Sequence, residues 1–396
     1  MMNSATLRLV LLVSCAHALV HVYEHSFSSV EQLIAAEYHV GKEVTGTMGM
    51  YLRMPFGLFA LAAGWLADRF GAKRLLLLYL FGCSAAAAGA WFAPSLALLS
   101  LMMFTLGTFA SIYHPAGVGL ISHHTIPRNR PMALGYHGII GSIGIAAGPF
   151  LAGAVLATGA SWRQYYLILA VPGVVLGVLL MLRLAHEQEN LSVTDAATAA
   201  ADREDHSHWA SYALLMVMTS LAGIVFAAIL TFLPRYLDKT GLHFDGVSPE
   251  SLRNYLTGVV LLLGIVGQYA GGRMGRPHTL ELLMAGGFYA ATPLVFWMGH
   301  AQGMSRFWAA GLFAPLFFMH QPLFNSLVAK YVPRRRRSLC YGLSFTFGFG
   351  IGSYGPRFAG QTQSEPLLYG TLSVLLGISA TLALILWWWN RPGRDS

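Results

Sequence analysis

Gly64-Trp65-Leu66-Ala67-Asp68-Arg69-Phe70-Gly71-Ala72-Lys73-Arg74 joins two apolar stretches of the chain. Its glycines let helix ends come close, and Asp68 is placed to cap a neighbouring helix or pair with an arginine. A partial copy follows 207 residues later as Gly271-Gly272-Arg273-Met274-Gly275-Arg276, without the aspartate. The same offset pairs Gly57 with Gly264, Pro115 with Pro322, Arg128 with Arg335, Arg130 with Arg337, Gly135 with Gly342 and Gly141 with Gly348. It also lays Gly148 to Gly153 (GPFLAG) on Gly355 to Gly360 (GPRFAG). One ungapped register across several segments marks an internal duplication.

Working outward from that loop, apolar runs lie near 7–33, 44–67, 74–92, 97–122, 132–157 and 164–184. A second six lie near 209–237, 251–274, 280–298, 304–330, 339–361 and 366–389. Each is close to the roughly 20 residues a helix needs to cross a bilayer. With 55% hydrophobic and only 11% charged residues among 396, a water-soluble fold is excluded. The expected fold is an all-α membrane protein of twelve transmembrane helices in two pseudo-symmetric six-helix bundles. The first bundle is expected at 1–185 and the second at 209–396, with the polar stretch 186–208 as a cytoplasmic linker. The first run carries His17, His21, Glu24 and His25 and has no small-residue cleavage site, so it reads as a retained helix and not a signal peptide.

Twelve alternating spans sort the 25 Lys and Arg by face: 17 fall on one side, 6 on the other, and Arg53 and Arg357 within spans. By the positive-inside rule the richer face, with both termini, is expected to be cytoplasmic, and the expected location is a bacterial inner membrane, crossed many times. The same clustering between apolar runs turns the net charge of +8 away from nucleic acid. Cys15, Cys83 and Cys340 lie inside apolar runs without paired spacing and read as small hydrophobes. There is no P-loop, so energy comes from an ion or substrate gradient. No cofactor, no resident metal, no enzymatic activity and no oligomer is expected; the partners are a small-molecule substrate, protons and the lipid bilayer.

The loop from Gly64 to Arg74 resembles the signature between the second and third helices of the major facilitator superfamily. The resemblance implies a gate built from Gly64, Asp68, Arg69, Gly71 and Arg74, with Gly271 and Arg276 in the second copy. Gly144-x-x-x-Gly148-Pro149-x-x-Ala152-Gly153 resembles the superfamily's helix-five motif, associated with proton antiporters, with Ala152 where glycine is usual. Three further segments resemble fosmidomycin-resistance-type facilitators: His21-x-x-Glu24-x-x-x-Ser28-Ser29, Ala110-Ser111-Ile112-Tyr113-His114-Pro115-Ala116, and Gly135-Tyr136-His137. Such relatives usually carry aspartate where Glu24 stands. The resemblance implies alternating access and leans towards efflux by antiport.

Charges near the bilayer centre cost about 2.5–3.5 kcal/mol each on insertion scales, so they face a cavity, find partners and mark transport paths. Glu24 and Arg53 lie at one depth, roughly 6 Å beyond the midpoints of their helices, and are expected to pair. His17, His21, Glu24 and His25 share one helical stripe, a natural proton relay. Tyr113, His114 and His137, with His320, Gln321 and Asn325 at the matching depth of the second half, are expected to line the inner vestibule. Arg357, next to Tyr354, would suit an anionic substrate group. Static pairing and helix-to-helix hydrogen bonds compete with each of these roles.

Two other functions compete. A divalent metal transporter would use the imidazoles of His17, His21, His25, His114 and His320. A membrane di-iron oxidase is suggested by His17-x-x-x-His21 and by His123-His124, but it needs many histidines on one membrane face and leaves the duplication unexplained.

Overall fold

The computed structural model describes residues 4–125, 129–183, 208–333 and 336–391, and among these every regular element is helical. The expected linker at 186–208 lies outside the described residues except for His208. The first six runs form α1 (Ser4–Glu37), α2 (Lys42–Leu58), α3 (Ala60–Phe70), α4 (Ala72–Phe92), α5 (Leu96–Ala110), α6 (Tyr113–His123), α7 (Arg130–Ala157) and α8 (Trp162–Arg183). The second six form α9 (Trp209–Leu237), α10 (Pro249–Met274), α11 (Leu280–Met298), α12 (Ser305–Phe318), α13 (His320–Tyr331), α14 (Arg337–Phe345), α15 (Tyr354–Gln361) and α16 (Glu365–Trp389).

Prolines explain most of the breaks. Pro55 cannot donate to the carbonyl of Tyr51, and α2 and α3 meet at a 43° bend shortly after it. Pro115 and Pro322, equivalent in the duplication, likewise leave the carbonyls of Ser111 and Phe318 without their usual donor. The fourth run divides at Ser111–Ile112 and the tenth at Met319. Ten helical columns are long and apolar enough to cross a membrane, and the bent pair of α2 and α3 makes an eleventh. The remaining expected run, 339–361, is helical in three pieces: α14, a π-helical segment Thr346–Ile351, and α15. Gly71, at φ 91°, provides the left-handed corner between α3 and α4 that a side chain would resist.

Helix pairing follows the duplication. In the first half α1 packs on α7, α2 on α5 and α4 on α8; in the second, α9 packs on the π segment and α15, α10 on α12 and α11 on α16. Across the halves α2 meets the π segment and α15, α10 meets α7, and α1 meets α9. One buried apolar cluster draws on residues from Leu9 to Leu180, and another on Tyr212 to Leu386 together with Ile145 and Ala146. Loops at 38–41, 93–95, 158–161, 238–248, 299–304 and 362–364 share the arginine-poor face. The turns at Gly71, 124–125, 275–279 and 332–333 share the arginine-rich one.

Candidate functional site

Near the middle of α1 one stripe carries the polar residues inward. Glu24 is buried and uses both carboxylate oxygens: Oε1 accepts from Nη1 of Arg53 on α2 at 2.8 Å, and Oε2 lies 3.0 Å from Nδ1 of His21. Side chains of Glu24 and Arg53 are each 3% exposed, so the pair expected from depth alone is made away from water. The Arg53 guanidinium also lies 5.5 Å from the ring centre of Phe226 on α9, which brings the charge to the boundary between the halves.

Four histidines gather one turn away. His17 donates through Nδ1 to the carbonyl of His137 at 2.8 Å, and the two rings stack at 4.0 Å. Tyr113 donates to the carbonyl of Val13 at 2.7 Å, so its oxygen accepts from Nε2 of His137 at 3.0 Å. His114, in the first turn after the break in the fourth run, has its ring centre 5.3 Å from that of His17 and 5.7 Å from that of His21. Its Nε2 is buried without a hydrogen-bond partner. Phe345, from α14 of the other half, stacks on His114 at 4.7 Å, and Phe56 meets it edge-on. The π segment sets this contact, since Phe345 precedes it and Phe349 within it touches Phe56, Phe226 and Phe345. Single π turns are frequent at functional sites. His25, further along the stripe, is buried with Nε2 unpartnered.

The helix-five residues build the floor of this site. A Cβ at Gly141 would sit 2.1 Å from Nδ1 of His17, and one at Gly144 would sit 2.4 Å from the backbone of Ala18. Gly148 meets His25, Gly153 meets Tyr255 and Ser251 of α10, and Pro149 is buried between them. Small residues here let α7 lie against α1 closely enough for His137 to reach His17.

Other expected residues stand apart. His320 donates to the carbonyl of Phe317 at 2.6 Å and packs on the rings of Phe288 and Phe317, so it belongs to an aromatic nest inside the second half and not to the histidine cluster. Gln321 is half-buried and Asn325 exposed. Tyr354 and Arg357 are both exposed. Residues 355, 356 and 360 of α15 face α9 and α2 through close contacts, which leaves 354 and 357 on the opposite side. Arg357 forms no ion pair among the described residues. In the gate loop, Asp68, Arg69 and Arg74 are exposed, Arg69 lies over Trp65 and Phe70, and Asp68 forms no ion pair among the described residues. Gly64 faces Pro115, Gly271 packs closely on Met319 and Pro322, and Arg276 is exposed.

What the sequence reading missed is a lock on the arginine-poor side. Glu31, 1% exposed at its side chain, receives Nε and Nη2 of Arg235 from α9 at 3.0 and 2.9 Å, and Thr45 from α2 at 2.5 Å. Gln32 donates to Asp238, Asn254 donates to the carbonyl of Ser29, and Lys42 donates to the carbonyl of Thr362. All three of these bonds also cross between the halves. Glu31 was findable, because it continues the His17, His21, Glu24 stripe by seven further residues.

Residues 13–356 match the family model of the Major Facilitator Superfamily, and the chain belongs to that family. It is 31% identical over 182 residues to an uncharacterized MFS-type transporter, YwoD, of Bacillus subtilis, covering 45% of this chain and 34% of the relative. It is 34% identical over 161 residues to a lincomycin resistance protein of Streptomyces lincolnensis, covering 39% and 32%. The chain thus spans about a third of the length of the curated relatives it matches. A bacterial homologue of the human lysosomal transporter Spinster, in an inward-facing and unoccupied conformation, superposes with a TM-score of 0.77 at 15% identity, over 98% of this chain and 95% of that one. A peptide transporter of the POT type superposes at 0.73 and 15% identity, over 96% and 93%. The chain is therefore a multi-pass membrane protein with the fold of this superfamily.

Proposed function

We propose that the chain exports a small organic compound across a bacterial inner membrane in exchange for protons. Residues 1–185 and 209–396 rock about a central site, and the arginine-rich face is cytoplasmic. The observation that carries this reading is the Glu24–Arg53 pair: two opposite charges, buried among the helices, tied through His21 to a histidine cluster and through Phe226 to the other half. A proton delivered to this network weakens the pair, frees Arg53 and loosens the contact between halves, which links proton movement to alternation.

Support for export comes from the helix-five motif and from relatives named as a lincomycin resistance protein, a probable actinorhodin transporter and an efflux pump. The segments around Glu24, His114 and His137 favour a fosmidomycin-resistance-type transporter. Support for the direction of closure comes from the Glu31–Arg235 lock, which holds the arginine-poor side shut in this conformation. We take that side as the outside, a choice supported by the distribution of 17 and 6 basic residues.

The test is purified protein in liposomes carrying an internal pH-sensitive dye. Adding candidate compounds without any imposed gradient should move protons for the transported compound and not for the others. Compound movement with no proton movement would leave a uniporter and remove the coupling.

A further inference from the structure

We infer that His17, His21 and His114 form a binding site for a divalent transition-metal ion of borderline softness. Its place in transport rests on the export reading above; the site itself does not.

One ring nitrogen from each of the three histidines lies within 4.8 Å of the other two. His17 and His21 are one helical turn apart, the spacing that aims two imidazoles at one point, and His114 reaches the same point from α6. Tetrahedral coordination at about 2.0–2.1 Å places ligand nitrogens roughly 3.3 Å apart. Reaching that spacing asks the three imidazoles to converge by side-chain rotation.

Hydrogen bonding has already chosen the coordinating atoms. Nδ1 of His17 gives its proton to the carbonyl of His137, and Nδ1 of His21 gives its proton to Glu24. Both rings therefore carry their lone pair on Nε2. The carboxylate–histidine pairing of Glu24 with His21 is the outer-shell arrangement that fixes tautomer and raises ligand basicity at metal sites. Ordinary helix-to-helix packing would satisfy the third ring as well, yet Nε2 of His114 is buried with no partner. Three imidazoles without a thiolate suit zinc, copper, nickel or cobalt better than magnesium or calcium.

Three protein ligands leave a fourth position open. The nearest fixed charges, Glu24 and Arg53, are paired with each other, so an incoming dication needs a counter-charge from outside the protein. A small anionic chelator supplies it, and such a complex would seat its metal on the histidines and its organic part against Phe345 and Phe56. The site asks of Glu24 only that it accept the proton of His21.

The experiment is titration of purified full-length protein with Co2+ alone, and separately with Co2+ and citrate, followed by visible ligand-field absorption and competition with Zn2+. One ion per chain with a tetrahedral spectrum is expected. His21→Ala and His114→Ala should each weaken binding at least ~10-fold, with His320→Ala unchanged. Where a deletion fails to fold, His114→Cys restores a ligand and should add a thiolate-to-cobalt charge-transfer band that only a metal seated there can produce. Tighter uptake with citrate identifies the chelate as the species bound, and weaker uptake, as citrate withholds the ion in solution, identifies the bare ion. Undiminished binding in both His21→Ala and His114→Ala, absence of the thiolate band in folded His114→Cys, or no binding in either arm would overturn the site. Cobalt binding without compound flux would leave the site standing and remove the export reading, and flux without cobalt binding would do the reverse.

Discussion

Replacing Arg235 by glutamine strikes the lock on the arginine-poor side without touching the central site. Glu31 would stay buried with Thr45 as its remaining described partner, whereas in the opposite conformation it would meet water. Breaking a fully buried ion pair by removing one partner costs about 3–5 kcal/mol. Arg235 is 30% exposed, so solvent screening lowers that figure, and two charge-assisted hydrogen bonds to a buried carboxylate suggest about 2 kcal/mol. The cost falls on the closed arrangement alone, which shifts the balance between states about 30-fold towards opening on that side. A cysteine placed at Ser248, in a loop of the same arginine-poor face, reads the shift as faster labelling by a membrane-impermeant maleimide in intact cells. Arg235→Gln should accelerate labelling by more than tenfold over the cysteine parent, and Arg357→Gln should not. Equal labelling rates would refute the lock, because an ion pair that favours neither state does no gating.

Three further expectations follow from the packing and the polar network. Gly144→Ala pushes a methyl group to 2.4 Å from the backbone of Ala18, which cannot swing aside, and should lower thermal stability by the equivalent of about 1–3 kcal/mol. Gly138→Ala, with nothing within 4 Å, should be neutral or slightly stabilising, and similar melting temperatures for the two variants would contradict the close α1–α7 approach. Phe226→Leu keeps an apolar contact but removes the ring under Arg53, a loss of about 0.5–2 kcal/mol, and should slow turnover in reconstituted vesicles while leaving the protein folded. Arg53→Met strands Glu24 and should destabilise the protein by about 3–5 kcal/mol, whereas adding Glu24→Gln to it should recover much of that loss in a double-mutant cycle.

Depth in the membrane was legible in the sequence, and direction around each helix was not. Apolar length located the runs to within a few residues, while the breaks at Ser111–Ile112 and Met319 inside two of them were not expected. Helix-length arithmetic put Glu24 and Arg53 at one level, where the structure joins them. Lipid tails and protein core are equally apolar, however, so composition does not reveal which side of a helix looks inward. For that reason His320 was grouped with the site by depth, although it packs among Phe288 and Phe317. The convergence of His17, His21 and His114 depends on how α1, α6 and α7 are rotated, which the close glycine contacts at 141 and 144 set. The π segment at Thr346–Ile351 has no sequence signal beyond its glycines, yet it is what presents Phe345 and Phe349 to the other half. Arg235 was counted only as one cation of the arginine-poor face, and its burial against Glu31 emerges only when the halves are docked.

Coupling of transport to protons through the Glu24–Arg53 network is tested most directly by flux in proteoliposomes under an imposed pH gradient, comparing the wild type with Glu24→Gln. For a compound that wild-type protein moves, the gradient should drive accumulation against concentration, and Glu24→Gln should lose that drive while retaining exchange of compound down its own gradient. Accumulation by Glu24→Gln with wild-type dependence on the pH gradient would contradict the mechanism.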